Sequence, residues 1–173
     1  GETGAGKSSL TASFVIEGAR LLSDDLTPVV FRKTGPYIFP LNRHIKLCED
    51  AAWQLDIKSE LLSEAEKGTG KFYLNAGHIS HSEYQLNTIF MIEKGDASTP
   101  EFCTPELAEK FSIMRSEICS WEMLAGMPRT EALYLEQVLQ IVHQVKIVRV
   151  LRPEVIRIPV LHAAVIDYLE ING

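Results

Sequence analysis

The chain opens on Gly1-Glu2-Thr3-Gly4-Ala5-Gly6-Lys7-Ser8-Ser9, which meets the phosphate-binding pattern G-x-x-x-x-G-K-[ST] at every specified position. Each residue type has a physical reason. Gly1, Gly4 and Gly6 permit positive φ and let backbone approach an anion with no Cβ in the way. Successive loop amides, from Gly1 through Ala5 to Ser9, then face one concavity that cradles the anion. Lys7 adds a positive charge where β- and γ-phosphates would lie. Ser8 offers a hydroxyl to Mg²⁺ and opens a helix whose positive dipole end faces the phosphates. The plain alternative is a glycine-rich turn before an ordinary helix. The joint match, followed by a helical pattern, favours nucleotide binding.

At 173 residues the chain is long enough for one domain, 1–173, with a sizeable core. A hydrophobic share of 46% with a charged share of 23% places it among soluble globular proteins. Its net charge of −6 argues against non-specific nucleic-acid binding. ATP is not excluded, because the loop supplies its own local positive field. Cys48, Cys103 and Cys119 lack metal-ligand spacing and read as reduced, small core residues, which fits a cytoplasmic setting. No apolar run is long enough for a membrane span, and no signal peptide is visible. The sequence begins on the loop itself, with no initiator Met and no buried strand to feed it. The expectation is a fragment lacking its first strand.

Ser8 to about Glu17 reads as the helix after the loop, with Leu10, Phe14 and Val15 on one face and Gly18 ending it. Ala19 to Ser23 reads as a short buried strand ending in Asp24-Asp25. Paired acids at that place can serve a metal or take a proton from a nucleophile. They can equally open a turn before Thr27-Pro28. Val29–Arg32 and Tyr37–Phe39 predict an antiparallel hairpin about the Lys33–Pro36 turn. Ile45–Leu47 predicts another strand, and Asp50 to about Leu55 a short helix with Trp53 in the core. Lys58 to Gly70 reads as an exposed helical turn running into a flexible loop, followed by the strand Phe72–Leu74. His78 and His81 read as solvated loop histidines. Ile89–Ile92 is the best buried strand and is expected to end at the charged turn Glu93–Asp96. Thr104 is expected to cap a helix with Pro105 at its first position. Helical patterning returns from about Arg115 to Leu124, breaks at Gly126–Pro128, and runs from about Thr130 to Val145. Leu133, Leu135, Val138, Leu139, Val142 and Val145 form the apolar face of this last helix. Val145–Leu151 predicts a strand, and about Val160 to Leu169 a helix covering the sheet.

The loop followed by Gly18-Ala19-Arg20-Leu21-Leu22-Ser23-Asp24-Asp25 resembles the HPr kinase/phosphorylase family, which is related in fold to phosphoenolpyruvate carboxykinase. It is closer still to HPr-kinase-like serine kinases, some of which accompany ribosomally made peptides such as lasso peptides. The resemblance is specific over residues 1–25 and extends weakly through Arg43–Leu47, Asp50–Leu55, Ile89–Ile92 and Val148–Arg152. It implies an α/β fold: a mixed sheet with flanking helices around the phosphate loop. It implies that Gly4, Gly6 and Lys7 hold the β- and γ-phosphates of ATP or GTP, and that Ser8 ligates Mg²⁺. Asp24 would accept the proton of an attacking serine hydroxyl, and Asp25 would orient the site or bind the metal. Ser9 stands where HPr kinases carry Glu, and their downstream glutamate-containing signature is not matched. That argues against phosphorolysis and against HPr as acceptor. Family members assemble as hexamers, so the resemblance allows a homo-oligomer.

The activity so implied is transfer of the γ-phosphoryl group of ATP to a hydroxyl of a protein or ribosomal peptide. Positioning and charge neutralisation would carry most of the catalysis. Two other readings use the same residues: a small-molecule kinase or carboxykinase, and a nucleotide-binding regulator that transfers nothing.

Overall fold

The computed structural model describes residues 1–41, 43–77, 82–118 and 127–172. The expected loop histidines His78 and His81, the thiol Cys119, residues 119–124 of the expected helix and Gly126 of the expected break fall outside them. The architecture is mixed α/β. Among the described residues the strands do not join one sheet but divide among three sheets of three strands.

The first helix, α1 (Lys7–Ile16), buries Leu10, Ala12 and Ser13. It stops as its sequence requires. Gly18 takes φ 99°, its N–H donates to Val15 O, and Ala19 N–H donates to Phe14 O, so the last carbonyls are satisfied. Ala19–Ser23 is irregular rather than a strand. Leu21 is buried, but the segment makes no ladder; Leu22 O accepts one bond, from Leu41 N–H.

Strands β1 (Val29–Arg32) and β2 (Gly35–Ile38) form the expected hairpin, and β6 (Tyr84–Gln85) adds to it. The second sheet contains β3 (His44–Cys48), β4 (Leu62–Glu66) and β5 (Lys71–Asn75), all antiparallel, in the order β3-β5-β4. β4 occupies the stretch expected to be loop. Its pattern of exposed acids conceals it, because only Leu62 and Ala65 turn partly inward. The helix α2 (Glu49–Gln54) follows β3 directly. It buries Ala51 and Ala52 and leaves Trp53 85% exposed, against the expected core placement.

The third sheet holds β7 (Thr88–Gly95), β8 (Glu101–Cys103) and β9 (Lys146–Pro153). β9 is central, parallel to β7 and antiparallel to β8. The connection from β7 to β9 runs through β8, α3 (Leu107–Glu117) and α4 (Pro128–Gln144). β7 continues through Glu93–Gly95, into the stretch expected to turn, because the parallel ladder pairs Glu93, Lys94 and Gly95 with Leu151, Arg152 and Pro153. α3 begins at Leu107 with Glu106 at its cap; Thr104 does not cap it. On α4, Val138 and Val142 are buried, while Leu133 and Leu139 face outward. Cys48 and Cys103 are exposed free thiols rather than core residues.

Both faces of β9 are covered. Val148 and Val150 join Ala5, Leu10, Ile92, Leu161 and Val165 in one core cluster. Ile147 joins Val138 and Val142 in another. The closing helix α5 (Ile158–Asn172) packs on α1. Ser13 Oγ donates to Leu10 O at 2.7 Å and so receives the Nδ1–H of buried His162 at 2.8 Å. That ring also stacks on Phe14 with a 4.2 Å centroid separation. Among the described residues no helix is long and apolar enough to cross a membrane.

Candidate functional site

The glycine loop lies at the carboxyl ends of parallel strands β7 and β9, the end of an α/β sheet where ligands gather. Gly1 runs so close to β7 that a Cβ there would stand 2.4 Å from Ile92 O. Gly4 and Gly6 take φ 80° and 99°, conformations a side chain strains. Ala5 between them is buried in the core cluster of β9 and α5. The loop is therefore anchored in the core by one small side chain, with a positive-φ glycine on either side of it. α1 starts at Lys7, immediately after Gly6, and no side chain caps it. Its first-turn N–H groups and its positive dipole end are thus suited to an anion rather than committed to a capping oxygen.

Lys7 is exposed and folds back across the loop. Its ammonium donates to Gly1 O and, at 2.9 Å, to Glu2 O. Ser8 Oγ donates to Asp24 Oδ1 at 3.3 Å. The other oxygen of Asp24 accepts the backbone N–H of Lys46, on β3, at 3.0 Å. A side-chain oxygen thus satisfies a backbone N–H of β3. The structure thus brings Ser8 and Asp24 together, sixteen residues apart. Asp25 is exposed, at φ 59°. Leu26 N–H donates to Asp24 O at 2.7 Å, so Asp25 is the centre of a tight three-residue turn with positive φ. Such a turn is strained for a non-glycine residue, and strain of this kind gathers at functional sites.

The residue that sequence reasoning missed is Arg152. It lies on the same face of β9 as Val148 and Val150, two positions beyond Val150, and is 7% exposed. Its Nε donates to Ala5 O at 2.7 Å and its Nη2 to Gly4 O at 3.3 Å. Its Nη1 donates to Pro153 O and Glu154 O, at 2.8 and 2.9 Å. Burial pushes this guanidinium below its ordinary pKa, with Glu154 opposing the shift. An arginine side chain stays charged regardless. The positive group thus sits behind the loop and turns the Gly4 and Ala5 carbonyls toward itself. On the far side of β9, Arg149 bridges Glu93 of β7, at 2.7 Å, and Glu109 of α3, at 2.8 Å. That pair of bonds joins the parallel ladder to α3 and belongs to the scaffold.

Among the described residues no three His, Cys, Asp or Glu side chains gather into a metal cage. Ser8 and Asp24 instead present a hydroxyl and a carboxylate side by side. Such hard oxygen donors suit Mg²⁺, which is held at phosphate sites by few protein ligands and by the substrate's own oxygens. Compared with models of known protein families, with curated proteins and with solved structures, the chain matches none.

Proposed function

We propose that the protein is an ATP-dependent phosphotransferase of the HPr-kinase-like class, acting on a serine or other hydroxyl of a protein or peptide. The observation that carries this reading is the contact between Ser8 and Asp24 beside a loop whose carbonyls are drawn back by Arg152. A hydroxyl, a carboxylate, the Lys7 ammonium and the first-turn amides of α1 belong to this one loop and the turn bonded to it, which supports the reading.

In this reading Gly4, Gly6, Ser8 and Ser9 offer backbone N–H groups to the β- and γ-phosphates of ATP or GTP, and Ala5 N–H, which donates to Glu2 O at 3.2 Å, exchanges that bond for a phosphate oxygen. The phosphates take over the bonds that Lys7 makes to Gly1 O and Glu2 O. Ser8 keeps its proton on Asp24 Oδ1, which leaves its oxygen lone pairs for Mg²⁺. When bound, Mg²⁺ neutralises charge that develops on the phosphate oxygens. The acceptor oxygen forms a bond to the γ-phosphorus as the bond to the β-bridging oxygen breaks, and ADP leaves. Asp24 receives the acceptor's proton. Asp25, at the adjoining strained turn, orients the acceptor or completes the metal's shell. Arg152 positions the loop and does not touch the substrate.

Incubation with γ-labelled ATP, Mg²⁺ and serine-containing peptides tests the reading. Label is expected on serine, and it is lost in Lys7→Ala. Nucleotide uptake with no label on any peptide would contradict transfer.

A further inference from the structure

A groove of about 530 Å³ lies between α2 and the β4–β5 hairpin, away from the glycine loop. Its floor is apolar, made by Ile57, Leu62 and Phe72. Three carboxylates, Glu49, Asp56 and Glu64, line it, and among the described residues no lysine or arginine does. The indole of Trp53 also lines it and is 85% exposed. The walls are fixed to each other. Glu49 N–H donates to Gly70 O at 2.9 Å, which ties the start of α2 to the hairpin turn. Glu64 Oε1 accepts Gly68 N–H at 3.0 Å, which holds that carboxylate in place.

A lone exposed aromatic means little. A tryptophan beside an apolar floor and three carboxylates has a definite complement. A guanidinium stacks on an indole and takes a carboxylate with its fork of N–H groups, while its methylene stem covers apolar surface. We infer that this groove binds a basic polypeptide segment, with an arginine side chain laid on Trp53 between the carboxylates. The unbalanced negative charge of the lining selects a cationic partner, and the apolar floor selects one with an adjoining aliphatic side chain over a free cation. α2 follows β3, whose Lys46 N–H holds Asp24. Lys46 and Glu49 are three residues apart, a span of at most roughly 10 Å. The inference nevertheless stands apart from the nucleotide reading, because the groove and loop share no residue.

Fluorescence anisotropy of a labelled, end-blocked peptide, Gly-Ser-Arg-Leu-Arg-Ser-Gly, tests it without nucleotide. Saturable binding is expected, weakened at least tenfold by Trp53→Ala, by Glu49→Gln, and by replacing both peptide arginines with glutamine. Lys7→Ala should leave it unchanged, which separates this test from the fate of the phosphate loop. Trp53 and Glu49 are both exposed, and a matched thermal melt establishes that each variant is folded. Absence of binding at millimolar peptide overturns the proposal. So does binding indifferent to Trp53→Ala, or equal affinity for free argininamide, which would make the groove a small-cation site.

Discussion

Arg152 Nε donates to the carbonyl of Ala5 at 2.7 Å across 147 residues of sequence. This bond and its companion to Gly4 O make the end of β9 the backstop of the glycine loop. A carbonyl drawn inward turns the N–H of its peptide plane the other way: Ala5 N–H points to Glu2 O, at 3.2 Å, and Gly6 N–H points away from the guanidinium. The same guanidinium adds a buried positive charge beneath the proposed phosphate site. Removing it leaves the loop carbonyls short of donors, each costing about 1–3 kcal/mol. Arg152→Met is therefore expected to lower stability by about 2–4 kcal/mol in urea unfolding. Its affinity for MgATP should fall at least tenfold, measured where the variant is still folded. Wild-type affinity in a folded Arg152→Met protein would remove the backstop role.

Asp24→Asn keeps an oxygen able to accept the Lys46 N–H but loses the charge. Phosphoryl transfer should fall by about 10²-fold or more, the usual scale for a lost general base, with ATP affinity nearly unchanged. Asp25→Asn, whose residue type also tolerates positive φ, should have the smaller effect on transfer. Single-turnover kinetics of the two variants, run side by side, assigns the acids. The reverse ranking would exchange their roles.

On α4 the sequence puts Val138 and Leu139 on one apolar face, yet they are 2% and 45% exposed. Val138→Ala removes buried volume next to Ile147 and should cost about 1.5–3 kcal/mol. Leu139→Ala should cost less than about 1 kcal/mol. Equal losses in chemical denaturation would mean that Leu139 is covered in the native protein.

Much of this was legible. The glycine pattern locates the tight turns at Gly4 and Gly6 and the start of α1. Runs of β-branched residues locate β7 and β9, and the Lys33–Pro36 turn locates the first hairpin. What escaped depends on distant partners. Arg152 reads as an ordinary charge at a strand end until the loop is folded against it. β4 is hidden by its exposed acids, and β8 is too short for a periodic signal. Trp53 follows two buried alanines, yet the helix turn sends it outward. The Asp pair is visible in the sequence. Its division into an inward Asp24 and an exposed Asp25 comes from the turn closed by Leu26 N–H.

Arg32 and Glu83 pair across the first sheet on its exposed side. The hydrogen bond from Arg32, followed by its charge, holds the Glu83 carboxyl below its usual range, against some desolvation. A carboxyl depressed in the folded state contributes stability that is fully present above its unfolded pKa. That contribution is lost as pH falls through the folded value, because the unfolded chain then binds more protons. In an NMR titration, Arg32→Ala should move the Glu83 midpoint upward. An unmoved midpoint would show that the pair is not formed in solution.

The central claim is that the opening loop holds the phosphates of a nucleotide with the help of Mg²⁺. Isothermal calorimetry of the protein with ATP, with and without Mg²⁺, tests it most directly. The account predicts one site per chain that needs Mg²⁺ for full affinity and disappears in Lys7→Ala. No heat of binding for ATP or GTP in the presence of Mg²⁺, from protein shown to be folded, would contradict it.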